Sequence, residues 1–243
     1  ACLVGGIFNV IAAVALFFLL DDKHVAQGSA SEESKFRFKD VGVLLKKPTV
    51  WMVSLIILCG YGIYSSSSYF TPYLTDVMGI SASSSGLVTV LRTYVFMLLA
   101  PVGGLIADKV FKSTSKWLAL ALTILAVLYG GVLLLPEGIS SSMAVLYSLL
   151  PGAVGLMMYG VVFSVVSEAG VSRAMTGTVI GLTSIIGYLP DFFYSAMFGS
   201  WLDKNGNAGY NQIFLFLAAT ALLGAVIAFL VSRNSKKTAK AGE

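Results

Sequence analysis

The sequence predicts an all-α membrane protein. Of its 243 residues, 57% are hydrophobic and 12% are charged, which is about half the charged fraction of an ordinary soluble domain. Mean hydropathy is +0.86. Because a helix needs roughly 20 apolar residues to cross a bilayer, seven apolar runs are predicted to be transmembrane spans. In chain order they are 2–20, 50–74, 83–107, 117–135, 142–167, 176–201 and 211–231.

The positions of Lys and Arg predict how the spans are oriented, because positive residues near span ends are retained in the cytoplasm. Fourteen of the sixteen lie in the segment 21–47, in the turn after the third span, just after the fifth span, or in the tail from 232. Lys204 is alone on the opposite side. We therefore expect the long loop and the C-terminus to be cytoplasmic, with the N-terminal end outside. This topology accounts for the net charge of +4 without nucleic-acid binding.

The sequence gives little support for an enzyme. His24, the one histidine, lies in a charged loop, and Cys2 and Cys59 lie in separate spans, so no set of metal ligands is recognisable. The hydroxyls of 65–68 have no basic partner nearby in sequence. We expect no catalytic activity, metal or cofactor, and we interpret both cysteines as small residues of the helix core.

The second and fifth spans carry polar side chains at helical spacing. In GYGIYSSSSYFTPYL, Tyr61, Tyr64 and Ser65 are predicted to contact a substrate, with aromatic belts and helix packing as the alternative. In the fifth span, Tyr159 lies on the same face as Pro151. Tyr159 is a further candidate contact, and close packing is its alternative.

Two charged residues lie deep inside spans. Arg92 is nine residues from the start of the third span at Ser83, and Asp191 is ten from the end of the sixth span at Trp201. With a rise of about 1.5 Å per residue, both lie roughly 14 Å deep in a hydrocarbon core about 30 Å thick. Ionisable groups at this depth usually face a cavity or a partner.

Three interpretations of Arg92 remain open. The side chain could snorkel towards the headgroups. It could form a structural ion pair with Asp191, which would shield both charges from lipid. It could instead face a cavity and bind an anionic group of a substrate through its planar set of donors. The last two are compatible, and Asp191 could also carry a coupling proton.

The turn after the third span has the sequence GGLIADKVFK, residues 103–112. It resembles the loop motif of the major facilitator superfamily, in which a glycine, three residues and Asp are followed by basic residues. The matching positions, to which the resemblance gives a gating role, are Gly104, Asp108, Lys109 and Lys112. Gly104 would let helices approach closely, and Asp108 would meet the N-terminus of a neighbouring helix. Phe111 replaces a glycine of the full motif.

The resemblance implies twelve helices in two halves, of which this chain would supply helices six to twelve. Its parts would be a transmembrane helix 1–20, an interdomain loop 21–47, a six-helix transport domain 48–231 and a basic tail 232–243. We expect a truncated carrier whose N-terminal half is missing, because the chain begins without Met and enters a span at once. A short surface helix is expected in the sequence FRFKDVGVLLKK.

The sixth span resembles helix eleven of bacterial members of the superfamily. Gly187 and Pro190 beside Asp191 predict a break in the helix, which could be a gating kink or a packed bend. The spacing of Gly177 and Gly181 predicts close backbone approach. An arginine on helix eight, as at position 92, is similar to superfamily carriers of small anions, including oxalate and nitrate.

These observations predict a secondary carrier that works by alternating access, and its preferred substrate is a small organic anion moved with protons or by exchange. The alternative is a carrier of a neutral sugar or drug-like solute, with Arg92 and Asp191 as a structural pair. A receptor or scaffold without transport is a third possibility. The expected partners are the substrate, a coupling proton or counter-anion, the lipid bilayer and the missing half. The expected location is the bacterial inner membrane.

Overall fold

The computed structural model describes residues 10, 14, 38–135, 139–170 and 175–240. Apart from Val10 and Val14, the predicted first span lies outside the described residues, as does most of the loop 21–47. The chain divides into two compact units, 1–40 and 41–243. The helices that carry the candidate site all belong to the second unit.

The described residues form helices and no strands. We number the α-helices in chain order: α1 Phe38–Leu45, α2 Pro48–Ser66, α3 Phe70–Asp76, α4 Ala82–Val90, α5 Ala100–Leu105, α6 Thr114–Val132, α7 Ser141–Tyr159, α8 Thr176–Gly187, α9 Leu189–Asn205 and α10 Gly209–Lys240. Short segments of 3-10 helix, which is wound more tightly than an α-helix, and of π-helix, which is wound more widely, extend or join these helices. Turns of 3-10 helix occur at Ser67–Tyr69, Phe96–Leu99, Val162–Ala169 and Gly206–Ala208, and π-helical turns at Leu91–Val95 and Ile106–Phe111. The predicted short helix in 36–47 corresponds to α1.

Five continuous helical stretches are long and apolar enough to cross a membrane: Pro48–Asp76, Ala82–Phe111, Thr114–Val132, Ser141–Glu168 and Thr176–Asn234. The last has 59 residues and contains two of the predicted spans, 176–201 and 211–231. It turns back at Gly206, whose φ is +54°, so that α9 packs against α10. The six predicted spans of 48–231 therefore coincide with helices, and the protein is an all-α membrane protein.

The helices run alternately up and down, and contacts at both ends of the bundle fix this arrangement. At one end, Glu168 meets the start of α6 at Thr114. At the other end, the Tyr210 hydroxyl donates to Asp76 Oδ2 at 2.7 Å, and the side chain of Asn207 donates to the Asp76 carbonyl at 3.0 Å. The first end carries most of the Lys and Arg residues of the described chain, and we call it the basic end.

Helix α10 packs extensively against α6 and α2, and side chains from these helices and from α3 meet in the core. Phe70, Tyr129 and Phe214 are buried together, with the rings of Phe70 and Phe214 4.8 Å apart. Small residues bring the helices close: a Cβ on Gly224 would lie 2.8 Å from Cys59 Cβ. Cys59 is 1% exposed, so the prediction that it is a small core residue is confirmed.

The predicted break in the sixth span is confirmed. Helix α8 ends at Gly187 and α9 begins at Leu189, with Pro190 in its first turn, where a missing N–H leaves no helical hydrogen bond unmade. A Cβ on Gly187 would overlap Ile57 of α2, so this glycine permits α8 to pack closely on α2. The close approach predicted at Gly177 and Gly181 is not made among the described residues, because a Cβ at either position would meet no described atom within 4 Å.

A second glycine prediction also needs correction. The close helix approach expected at Gly104 is made by its neighbour Gly103, where an added Cβ would overlap the Met157 carbonyl group of α7. A Cβ on Gly104 would instead lie 3.7 Å from Val161 Cγ1, an ordinary contact. The two glycines are adjacent, and the rotation of α5 about its axis decides which one faces α7.

We therefore expect Gly103→Ala to lower the free energy of unfolding by roughly 1–3 kcal/mol, because the new methyl group forces α5 away from α7. Gly104→Ala is the matched control, and we expect it to be neutral or slightly stabilising, since alanine is a better helix former. Thermal unfolding in detergent measures both. Equal effects of the two variants would contradict this account of the packing.

Candidate functional site

The π-helical turn Leu91–Val95 places Arg92 in the interior of the bundle. Helix α4 begins with Ser81 as its cap, whose side chain accepts a hydrogen bond from the Ser84 amide at 3.3 Å. Its regular winding ends at Val90, and the wider turn that follows contains Arg92. Such π-helical turns are rare and frequently lie at functional sites.

The Arg92 side chain is buried but only partly hydrogen-bonded. It is 3% exposed and is the one charged residue among the buried residues that the structure describes. Its Nη2 donates to Thr71 Oγ1 at 2.8 Å, and Thr71 Oγ1 lies 2.6 Å from Thr89 Oγ1. Nη1 is buried and has no hydrogen-bond partner within the described parts of the chain. One hydroxyl group compensates only weakly for the cost of burying a full positive charge, because buried charges usually require an ionic partner.

A cavity of about 190 Å³ adjoins the guanidinium. Three helical stretches contribute to its walls, and most of the polar residues in the lining carry hydroxyl groups. Its lining includes Tyr64, Ser65, Ser67, Ser68, Thr89, Arg92, Thr93, Pro151, Gly152 and Gly155. Tyr64, Ser65 and Arg92 were predicted from the sequence as substrate contacts, and the structure brings all three to one cavity.

Gly152 makes room for the Arg92 side chain. A Cβ on Gly152 would overlap Arg92 Cγ and would lie 2.6 Å from Arg92 Cδ. At Gly155, one turn further along α7, a Cβ would meet nothing within 4 Å. Sequence reasoning missed Gly152, as well as Thr71 and Thr89. The signal for Gly152 was its place beside Pro151 in an apolar helix, whereas nothing local marks the two threonines.

Four tyrosines form a cluster beside the cavity. The rings of Tyr64 and Tyr159 are stacked with centroids 4.2 Å apart, and the Tyr61 ring meets the Tyr188 ring edge-on at 4.4 Å. The hydroxyls of Tyr159 and Tyr188 are 3.4 Å apart. The structure thus assembles the predicted residues Tyr61, Tyr64 and Tyr159, and it adds Tyr188, which the sequence analysis did not single out.

Asp191 lies at the far side of this tyrosine cluster. The Tyr61 hydroxyl donates to Asp191 Oδ2 at 2.5 Å. The carboxylate occupies the first turn of α9, where the partial positive charge of the helix N-terminus favours an anion. Asp191 is an exposed residue of the described chain, not a buried one.

The structure does not contain the predicted Arg92–Asp191 ion pair. Arg92 bonds to Thr71 and Asp191 bonds to Tyr61, with the tyrosine cluster between them. The similar depth of the two residues in the membrane stays a prediction. The described contacts therefore do not support the ion-pair interpretation of Arg92, and the choice between an anionic and a neutral solute stays a prediction.

The loop motif at the basic end also differs from expectation. Asp108, Lys109 and Lys112 are exposed, and Asp108 has no hydrogen bond to the residues that the structure describes. Instead, Glu168 holds the N-terminus of α6. Its carboxylate accepts hydrogen bonds from the amides of Thr114 and Ser115 and from the hydroxyls of Ser113 and Ser115.

We expect Glu168→Gln to lower the free energy of unfolding by roughly 1–3 kcal/mol, since hydrogen bonds to a charged acceptor are lost or weakened. Asp108→Asn, which removes the same charge from the same end of the bundle, should change it little. The midpoint of thermal unfolding in detergent distinguishes them. A larger effect of Asp108→Asn would restore the original assignment of the helix cap to that residue.

Comparison with known proteins gives a consistent result. Residues 1–195 match the sequence profile of the Major Facilitator Superfamily. The chain is 28% identical over 234 residues to the inner membrane protein YihN of Escherichia coli (strain K12), covering 94% of this chain and 56% of that protein. It is 28% identical over 231 residues to the inner membrane protein YqcE of the same organism, covering 92% and 53%.

The name of a third relative includes a substrate. The probable nitrate/nitrite antiporter NarK1 of Thermus thermophilus is 29% identical over 203 residues, covering 75% of this chain and 44% of that protein. The chain spans about half the length of the curated relatives it matches.

Proposed function

Because this chain belongs to the Major Facilitator Superfamily, we propose that it is part of a secondary carrier that binds a small anion at Arg92. The observation that carries the proposal is the buried guanidinium, whose Nη1 has no hydrogen-bond partner among the described residues and which borders a cavity. A charge enclosed in this way is stabilised by an ionic partner. An anion that enters from the cavity would provide one.

The geometry favours an anion with planar oxygen atoms. A carboxylate accepts hydrogen bonds from both terminal nitrogens of a guanidinium, and a nitrate-like oxyanion has the same planar arrangement. Cavity hydroxyls, including those of Ser65 and Thr93, could bind the remaining oxygens. Our preferred class is a small organic anion that carries a carboxylate. The name of the Thermus thermophilus relative, a probable nitrate/nitrite antiporter, supports inorganic oxyanions as the second class to test.

The ring of Tyr64 would form the apolar wall of the binding site. It lines the cavity and stacks on Tyr159, so the flat face of a planar anion or its short carbon chain could pack against it. A cavity of about 190 Å³ suits a compact solute. The other half of a carrier of this family would complete the path, since sites in these folds lie between repeats near the middle of the membrane.

We place the protein in the inner membrane, with several spans and a cytoplasmic C-terminus. The names of the two Escherichia coli relatives support the membrane. The concentration of Lys and Arg at the basic end supports the orientation. The turn that contains Asp108, Lys109 and Lys112 would then be cytoplasmic, where the superfamily motif implies a gating role. Gly187 and Pro190 would provide the bend between α8 and α9 about which the helix moves.

We expect Arg92→Gln to weaken anion binding about 10- to 100-fold, because hydrogen bonds to a charged partner contribute roughly 1.5–3 kcal/mol. Thermal-shift titration of the purified protein measures it, with monocarboxylates, dicarboxylates, nitrate and neutral sugars as ligands. Stabilisation by a neutral sugar, or an anion response that Arg92→Gln leaves intact, would contradict the proposal.

A pair of glycine variants provides the matched control for this experiment. Gly152→Ala keeps the charge but displaces the Arg92 stem, so we expect it to weaken anion binding as well. Gly155→Ala changes the same cavity wall at a position with free space, and we expect it to bind nearly as the parent does. Equal binding by both variants would show that the position of the guanidinium is unimportant.

Asp191 is our candidate for the coupling proton. Protonation would remove its charge and change its hydrogen bond with Tyr61, and that bond lies at the start of the bend-forming helix α9. Through the tyrosine cluster, the same change would reach Tyr64 in the wall of the anion cavity. Transport by exchange with a counter-anion is the alternative form of coupling.

We expect Asp191→Asn to abolish proton movement that accompanies anion uptake and to leave anion-for-anion exchange in place. A pH-sensitive dye inside proteoliposomes, with a parallel radiolabelled-exchange assay, measures both. Asp203→Asn is the control, because Asp203 is an exposed carboxylate on the same helix. Undiminished proton movement in Asp191→Asn would exclude Asp191 as the coupling group.

A further inference from the structure

A second concave surface lies on the outside of the bundle, between α6 and α10. It is a groove of about 680 Å³. On α6 its wall contains Lys116, Leu120 and Thr123, and on α10 it contains Leu222, Val226, Phe229 and Arg233. These positions recur at intervals of three and four residues, so each helix contributes one continuous face. The groove is separate from the Arg92 cavity.

The groove is apolar along its length and cationic at one end. Leu222, Val226 and Phe229 are each more than half exposed, whereas Lys116 and Arg233 contribute to its wall at the basic end. The guanidinium of Arg233 lies over the Phe229 ring, 5.9 Å from its centroid, an arrangement that favours a cation at that position. Neither cation forms an ion pair with the described residues.

The length of the groove matches one leaflet of a bilayer. Eleven residues separate Leu222 from Arg233, which is about 16 Å along a helix. Half of the hydrocarbon core is about 15 Å. A molecule with its head at Arg233 and its tail at Leu222 would therefore extend from the headgroup region to the middle of the membrane.

We propose that this groove is a binding site for an anionic phospholipid from the leaflet at the basic end. Lys116 and Arg233 bind the phosphate and the headgroup charge, and the acyl chains lie on Leu120, Val226 and Phe229. Charge complementarity selects the anionic lipid, because basic pockets between membrane helices attract anionic headgroups. A zwitterionic lipid would fill the same apolar surface but would present its own positive charge to the two cations.

Titration with lipids of equal chain length tests the proposal. The purified protein in detergent is mixed with phosphatidylglycerol or with phosphatidylcholine, and bound lipid is counted by native mass spectrometry. We expect tighter binding of phosphatidylglycerol and a roughly 10- to 30-fold loss in the double variant Lys116→Gln/Arg233→Gln. The control is Lys46→Gln/Lys47→Gln, which removes two charges from the basic end outside the groove and should keep the preference.

Three results would overturn the proposal: no preference between the two lipids, an undiminished preference in Lys116→Gln/Arg233→Gln, or an equal loss in both double variants. Val226→Trp provides a second test. It remains informative even when Lys116→Gln/Arg233→Gln does not fold. The indole fills the exposed groove and leaves both cations in place, so we expect it to prevent phosphatidylglycerol binding. Normal binding by a folded Val226→Trp protein would contradict the site.

Discussion

The candidate site depends on a positive charge inside a helical bundle, for which the described residues provide one hydroxyl group as a hydrogen-bond partner. Arg92 is expected near the middle of the membrane from its position in its span, and it is 3% exposed. Such a charge is stabilised by complementary groups around it or by a ligand. The protein provides a hydroxyl network through Thr71 and Thr89 and a cavity at the remaining face of the guanidinium. The π-helical turn and Gly152 both make that placement possible.

The charged groups of the site are separated by aromatic rings. Tyr64 belongs to the Arg92 cavity, and Tyr61 bonds to Asp191. Arg92 and Asp191 thus have different hydrogen-bond partners, and the proposed anion and the proposed coupling proton would each meet a different group. Since Asp191 lies at the bend between α8 and α9, a change in its charge occurs where the helix is already interrupted. This arrangement suits a carrier in which binding and movement depend on each other.

The lipid bilayer acts as the solvent for the rest of the surface, and this explains the remaining features. Close packing in the bundle depends on glycines such as Gly103 and Gly224, because apolar surface alone does not drive helices together in lipid. Helix ends still require partners for their backbone groups, which Glu168 supplies to α6. The groove between α6 and α10 combines apolar walls with two cations, which is the chemistry of the boundary between hydrocarbon and headgroups.

The helical membrane fold, the helices within 48–231 and the break near Pro190 were predictable from the sequence alone, which also singled out Arg92 as a candidate site residue. Each follows from local rules: an apolar run of sufficient length crosses a bilayer wherever it stands, and a deep charge is costly in any helix. The tertiary structure decided the partners, including Thr71 for Arg92, Tyr61 for Asp191, Gly103 in place of Gly104 and Glu168 in place of Asp108. Periodicity defines the faces of a helix, but it does not fix the rotation of that helix about its axis against its neighbours. Adjacent residues such as Gly103 and Gly104 therefore acquire different roles only after the helices have packed.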